Sequence, residues 1–387
     1  MANVTRAIAD TAGFIPQAWA QRALDILRAN MVLAKFVTRD FDFEPGWKGK
    51  TLNIPYPGTF IAQDKAADTA VTVQVPTGGS SVALSLSKHK VVDFNIEDVA
   101  RAQQSVELMD QYLSPAVIAI GNAVEDDLFA LRGSLTGTAV GTYGTDTTAA
   151  NARSARSGLN AALAPGSQRA LIVSPKDEIA LLADSTLASF WAFARASGIS
   201  DGELGSLYGF DTYMSQRVPM ADIVTLGTQS SGTFTLTYGG VTTSGQAYNV
   251  AAATLQTQLN GLSSALGLAP FTVTGTAPYV ITVAAGFAHN PITADFSALT
   301  TPANASIAYR TDDLAIHRNS LILAVRPFQD EPAGSGVESA TAIDAATGLA
   351  IRVQRQYSMA DRAIRYGVDI LYGVSVLRPS LGLIVKS

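Results

Sequence analysis

Apolar positions along the chain switch between helical and strand periods. Residues 14–36 read FIPQAWAQRALDILRANMVLAKF, with Trp19, Ala23, Leu27 and Met31 at spacing four behind Pro16. That spacing predicts one stripe of an amphipathic helix. The opposite face carries Gln21, Arg22, Asp25 and Arg28, too mixed in sign for a lipid-binding face and suited to docking on protein. Over residues 41–95 the period changes to two. Val71, Val73 and Val75 alternate with polar residues, Pro76-Thr77-Gly78-Gly79 turns the chain, and Val82, Leu84 and Leu86 return. A two-stranded excursion of this length is too narrow to bury a core alone and needs a neighbour to lie on.

The most regular stretch is 114–132, SPAVIAIGNAVEDDLFALR. Ser114 and Pro115 suit a helix start, Ser114 as its cap. Val117, Ile120, Val124, Leu128 and Leu131 then follow one helical stripe. At 1.5 Å per residue the rod is roughly 27 Å long. Glu125, Asp126 and Asp127 interrupt it. Adjacent helical side chains diverge by about 100°, so these three are expected on a solvated or partner-facing edge. Acid–base chemistry would need carboxylates converging from separate elements.

Further on, 152–163 is expected to be a short helix and 170–173 a buried strand. Ser174-Pro175 opens another helix with Ile179, Leu182 and Ala183 inward. Residues 228–309 change character: Asp295 is the only charged residue between Asp222 and Arg310. Phe234, Leu236 and Tyr238 alternate, Leu255, Leu259, Leu262 and Leu266 form a helical stripe, and 271–274 and 279–283 read as strands. This predicts an independent ββαββ-like module with a private core, inserted in a surface loop. After Leu314 strands resume at 321–325, 349–357, 366–376 and 383–385.

A chain of 387 residues exceeds one ordinary core and suggests two domains, or one with a large insert. Charged residues make up only 15%, leaving much neutral surface for contacts. The net charge of −5 argues against a nucleic-acid reader, which needs a basic stripe. Without cysteine there are no disulfides, thiolate metal sites or cysteine nucleophiles. No apolar run approaches the ~18 residues of a membrane span, and MANVTRAIAD lacks a signal core. A soluble protein made in a cytoplasm is expected, so the glycosylation triplets at Asn3 and Asn304 carry no weight.

Candidate chemistry is sparse. Gly49-Lys50-Thr51 resembles the end of a phosphate loop, but the glycine required five residues earlier is Glu44. His89, His289 and His317 lack metal-ligand spacing, and His317 beside Arg318 is expected to be a satisfied strand-edge residue. Ser85 and Lys88 could mimic a serine–lysine pair, but three apart on one strand they point to opposite faces. No catalytic, cofactor-binding or metal site is expected, and the chain is not expected to be an enzyme.

Several pieces, in order, resemble the tailed-phage major capsid proteins of the Hong Kong 97 fold, and within them the coat proteins of short-tailed phages. Phe14-Ile15-Pro16-Gln17-Ala18-Trp19 is similar to that family's opening. Lys48-Gly49-Lys50-Thr51-Leu52-Asn53-Ile54-Pro55 looks like the start of its extended loop, and Val92-Asp93-Phe94-Asn95-Ile96-Glu97-Asp98 like the return from it. Residues 205–215 with Val218-Pro219, 314–324, and 369–373 with Arg378-Pro379 resemble the axial turn and the closing strands. The resemblance covers nearly the whole chain except 228–309. It implies an α+β fold with an N-terminal arm (1–40), an extended loop (41–95), a peripheral domain with a spine helix (96–150) and an axial domain (151–227). A small inserted α+β domain (228–309) and closing strands of the axial and peripheral domains (310–387) complete it.

The function this resemblance implies is a coat protein that self-assembles into pentamers and hexamers of an icosahedral shell around double-stranded DNA. It would be assembled in the bacterial host cytoplasm and reside in the virion. The DNA would be enclosed without sequence-specific binding, and no membrane would be involved. Scaffolding, portal and decoration proteins are the further partners implied. A mild negative charge suits a wall that does not grip DNA. One alternative is an encapsulin-type nanocompartment with a protein cargo, although such shells seldom carry a large axial insertion. Another is a secreted surface-binding protein, which the missing signal disfavours.

Overall fold

The computed structural model describes residues 14–39, 51–56, 60–65, 67–71, 73–75, 80–98, 112–187, 205–266, 270–283, 292–331, 336–343 and 349–387. Asn3, Glu44, Gly49, Lys50, the turn at 76–79 and His289 lie outside these residues. Helix α1 (Phe14–Asn30) comes first, then strands β1 (Thr51–Tyr56), β2 (Ser80–Ser85) and β3 (Lys88–Glu97). Helix α2 (Ser114–Ala130) tightens into a 3-10 turn at Leu131–Ser134. Helix α3 (Ala149–Ala161), strand β4 (Arg169–Val173) and helix α4 (Pro175–Ala183) lead to β5 (Phe210–Met214) and β6 (Met220–Thr225). The charge-poor stretch holds β7 (Thr233–Tyr238), α5 (Ala252–Ala265), β8 (Phe271–Thr274), β9 (Tyr279–Val283) and β10 (Thr293–Asp295). Strands β11 (Ser306–His317), β12 (Leu321–Arg326), β13 (Glu338–Ile343), β14 (Ala350–Ser358), β15 (Ala363–Val376) and β16 (Gly382–Lys386) close the chain.

The chain forms two compact units. The first comprises Met1–Met31, Val37–Gly121 and Leu321–Leu377, and the second Val32–Phe36, Asn122–Ser320 and Arg378–Ser387. The first unit is built on an antiparallel sheet in the order β12-β15-β14-β13, with β3 also pairing β15 from Ala363↔Glu97 to Tyr372↔Lys88. Tyr366, Val368, Ile370 and Tyr372 alternate inward along β15. Helix α1 lies on β13 and β14, and its Trp19 stacks on Tyr366 at 4.6 Å. All four residues of the predicted stripe, Trp19, Ala23, Leu27 and Met31, are buried.

The base of the predicted two-stranded excursion lies on a neighbouring strand and shares a small core with it. β1 and β2 pair from Thr51↔Ser85 to Tyr56↔Ser80, and Ile54, Leu84 and Leu86 bury themselves against Ile322 and Ala324 of β12. Ser85 ends β2 and Lys88 begins β3, so they lie on two strands, not on one.

On α2, Val117, Ile120, Val124 and Leu128 are buried as the stripe predicts, and Leu131 is half-buried where the helix tightens. The backbone is already wound at Tyr112 and Leu113, so Ser114 lies inside the first turn and not at the cap position. Leu128→Ala is expected to cost roughly 2–5 kcal/mol, the range for a large-to-small core change. Urea unfolding that showed no loss would mean the helix packs on something other than this stripe.

The second unit holds a nine-stranded sheet whose main path runs β8-β9-β6-β11-β4-β5. β16 also pairs β11, from Asp312↔Lys386 to Ile316↔Gly382. β4 is wholly buried, as its unbroken apolar run predicts, and lies parallel to β5. Ser174 caps α4 by accepting the Asp177 N–H. The inward residues of α4 differ from expectation: Ile179 and Ala183 are exposed and Leu182 is half-buried against the core, while Asp177 and Leu181 are buried. Residues 174, 177 and 181 share one helix face, and hydrogen bonds to Asp177 turn that face inward.

The 228–309 stretch has strands on both sides of one helix, as expected, but not in the predicted ββαββ order: β7 and two two-residue strands precede α5, and β8, β9 and β10 follow it. Its core is not private. Leu255 and Leu259 of α5 pack with Phe234, Leu236, Tyr238 and Phe271, and Val224 and Leu226 of the adjoining chain join the same cluster. β9 pairs with β6, and β11 pairs with β6 from Ser306 onward. Strands β8 and β9 thus extend the large sheet, because the free edge of β6 accepts another ladder. The two ends of the stretch meet: the Gln229 amide donates to the carbonyls of Leu226 and Thr301. Gly227 has φ +61, and a Cβ there would fall 2.6 Å from the Asn304 carbonyl oxygen, so only glycine fits.

Candidate functional site

Beyond the base of β1 and β2, the chain leaves its apolar side chains in solvent. Phe60 is 68% exposed, Ile61 79%, Val71 54%, Val73 92% and Val75 84%. Asp64, Lys65 and Asp68 lie between them and are exposed as well. The two limbs are joined by one side chain that imitates a strand pair: Gln74 accepts the Ile61 N–H at 3.0 Å and donates to the Ile61 carbonyl at 2.7 Å. A monomer gains nothing from holding five large apolar side chains in water. Full burial of each is worth roughly 1.5–3 kcal/mol, and an exposed apolar cluster rimmed by charge marks an interaction surface.

Two of the three carboxylates of α2, Glu125 and Asp126, are not on a solvated edge. Glu125 is buried, and its two oxygens accept the N–H groups of Leu33 at 3.0 Å and Ala34 at 2.9 Å. Those amides open the 3-10 turn Leu33–Lys35, where a carboxylate meets free donors and the positive end of the backbone dipole. Asp126 is gripped by two guanidinium nitrogens of Arg217, Nε lying 2.8 Å from Oδ1. No pattern in the sequence marks either partner. Both carboxylates are structural staples within the second unit, and they do not converge for acid–base chemistry.

A third staple is centred on Asp312. It accepts from Arg132 Nε at 2.9 Å, from Arg310 Nη2 at 2.9 Å and from the Tyr143 hydroxyl at 2.9 Å. Burial pushes the Asp312 carboxyl up, but the hydrogen bonds and charges of Arg310 and Arg132 hold it below the usual range. Burial, then the Asp312 charge, pushes Tyr143 up to about 12.

The histidines are dispersed. His89 Nε2 lies 3.0 Å from Asp369 Oδ2, and Asp369 is also clamped by Arg352 Nε at 3.0 Å and Nη2 at 2.7 Å. His317 is satisfied, as expected, but it is buried in the sheet and not at its edge. Its Nδ1 accepts the Asn319 N–H at 3.2 Å. Burial, with Arg169 and Arg378 nearby, holds its pKa low and the ring neutral. Among the described residues no cluster of His, Asp or Glu could hold a metal ion, and no helix is long and apolar enough to cross a membrane.

No family model and no curated protein matches this sequence. Solved structures do. One from Mycobacterium phage Che8 aligns at TM-score 0.52 and 16% identity over 92% of this chain and 90% of that one. The capsid of the cyanophage P-SCSP1u aligns at TM-score 0.49 and 13% identity, over 92% of this chain and 87% of that one. The capsid of a native GTA particle aligns at TM-score 0.44 and 12% identity, over 93% and 89%. The order of elements, the β1–β2 ribbon, the long helix α2 and the likeness to the Che8 structure agree: the chain has the Hong Kong 97-type fold.

Proposed function

We propose that this chain is the major capsid subunit of a tailed phage. Copies of it associate as pentamers and hexamers that close into an icosahedral shell around double-stranded DNA. The observation that carries this reading is the exposed apolar surface of 60–75, set at the end of a ribbon in a chain with a capsid fold. A second copy is the partner that covers it in every subunit at once. In this reading 1–40 is the N-terminal arm, 41–95 the extended loop, 96–150 the peripheral domain with α2 as its spine, and 151–227 the axial domain. Residues 228–309 form a knob on the outer face of the shell, where a neutral, threonine-rich surface meets solvent or a decoration protein and not phosphate. Scaffolding and portal proteins are the partners a shell of this kind needs to close and fill. Assembly takes place in the host cytoplasm.

The test is to express the chain, sediment it and image the fractions. Closed shells or capsomer-sized oligomers are expected, with nuclease-protected DNA inside particles recovered from infected cells. A compact monomer at high concentration would contradict the reading, and particles filled with an enzyme would favour a nanocompartment.

A further inference from the structure

The second unit contains a buried pair of carboxylates. Asp177, in the first turn of α4, is fully buried. Its Oδ2 accepts hydrogen bonds from the hydroxyls of Thr311 at 2.6 Å, Ser174 at 2.7 Å and Ser387 at 2.7 Å, and its Oδ1 accepts the Thr147 N–H at 3.3 Å. Asp313 on β11 is also fully buried. Its Oδ1 accepts the Ser174 N–H at 2.8 Å. Its Oδ2 meets no donor among the described residues. Ser174 links the two carboxyls, giving its N–H to Asp313 and its hydroxyl to Asp177.

Among the described residues no cation is placed to neutralise the pair. Arg132 and Arg310 are committed to Asp312, whose side chain points to the other face of β11. Lys176 on α4 pairs with Asp146 at 3.3 Å and lies over the Tyr309 ring. Lys386 on β16 lies over the Tyr143 ring. The remaining neighbours add negative or neutral character: Asp222 on β6 is buried and accepts the Ile292 N–H at 3.2 Å, and the Tyr309 hydroxyl donates to Met220. Two carboxylates taken out of water beside each other cannot both stay ionised. Asp177 already has four donors, so it is the one that keeps its charge.

We propose that Asp177 and Asp313 share a single proton at neutral pH, carried on Asp313 Oδ2 and donated to Asp177. This proton latches the start of α4 and the end of β16 onto β11. Burial, then the Asp177 charge, pushes Asp313 well above the usual carboxylate range. Burial also pushes Asp177 up, but the bonds from Thr311, Ser174, Ser387 and Thr147 outweigh it and hold that carboxyl low. The two signs act in different pH windows. Asp313 binds its proton more tightly folded than unfolded, so its stabilisation is complete below the ordinary aspartate value of about 3.9 and is lost as pH rises through its folded value. Asp177 stabilises above that ordinary value and loses its contribution as pH falls through its own, lower, folded value.

Two measurements on the full chain test the latch. In folded wild type at neutral pH, infrared spectra with isotope-labelled aspartate should show the carbonyl stretch of a protonated carboxylic acid, and alkali should remove it. Absence of that band at neutral pH would overturn the proposal without recourse to any variant. In thermal melts from about pH 5 to about pH 9, the wild-type Tm should fall as pH rises. Asp313→Asn keeps an acceptor for the Ser174 N–H and supplies a permanent N–H donor to Asp177. It should flatten that slope, raise Tm at the alkaline end and abolish the acid band. A variant with the wild-type slope, or one that keeps the band, would show that the proton is elsewhere.

Discussion

Replacing Val73 and Val75 together with aspartate is expected to stop assembly and leave the subunit folded. Both side chains are almost fully exposed in the single chain and touch no core of their own. Surface substitutions of this kind usually change folding stability by about 0.5 kcal/mol or less. In an interface the same change acts twice. Each site loses roughly 1.5–3 kcal/mol of apolar burial, and each introduces a carboxylate that must be desolvated without a partner, at a further cost of several kcal/mol. The loss recurs at every copy around the shell. Urea unfolding should give a wild-type midpoint while sedimentation shows small species only. Normal particles would remove 60–75 from the interface. An unfolded variant would mean that the ribbon holds its own subunit together.

Glu125→Ala is expected to be the most damaging single truncation on α2. It leaves the buried amides of Leu33 and Ala34 without an acceptor, and an unsatisfied buried donor costs roughly 1–3 kcal/mol. The sum, roughly 2–6 kcal/mol, reaches or exceeds the cost of truncating Leu128. Glu125→Gln keeps one acceptor oxygen and should lose about half as much. Denaturant midpoints of the two variants check this. An alanine variant within about 0.5 kcal/mol of wild type would show that water reaches those amides and that the staple is not structural.

The parts legible from sequence are those set by apolar burial along one element. The stripes Trp19–Ala23–Leu27–Met31 and Val117–Ile120–Val124–Leu128, the unbroken run of β4, and the alternation Phe234–Leu236–Tyr238 need only a period, because each buries one face. What stayed hidden depends on partners distant in the chain. Glu125 meets Leu33 across 92 positions, and Asp126 meets Arg217 across 91. A carboxylate in mid-helix looks the same whether it faces water or a buried amide. The same holds on α4: apolarity predicts Ile179 inward, but the buried face is set by Asp177, whose hydrogen-bond partners lie far away in the chain. The pairing of β9 with β6 is written in backbone amides and a free edge, and no side-chain pattern marks it.

A reconstruction of the assembled particle by electron cryomicroscopy tests the central claim most directly. It should show a closed shell in which Phe60, Ile61, Val71, Val73 and Val75 lie against a neighbouring subunit and are dry. A particle in which those five side chains remain in solvent, or a preparation that never rises above a monomer, would contradict it.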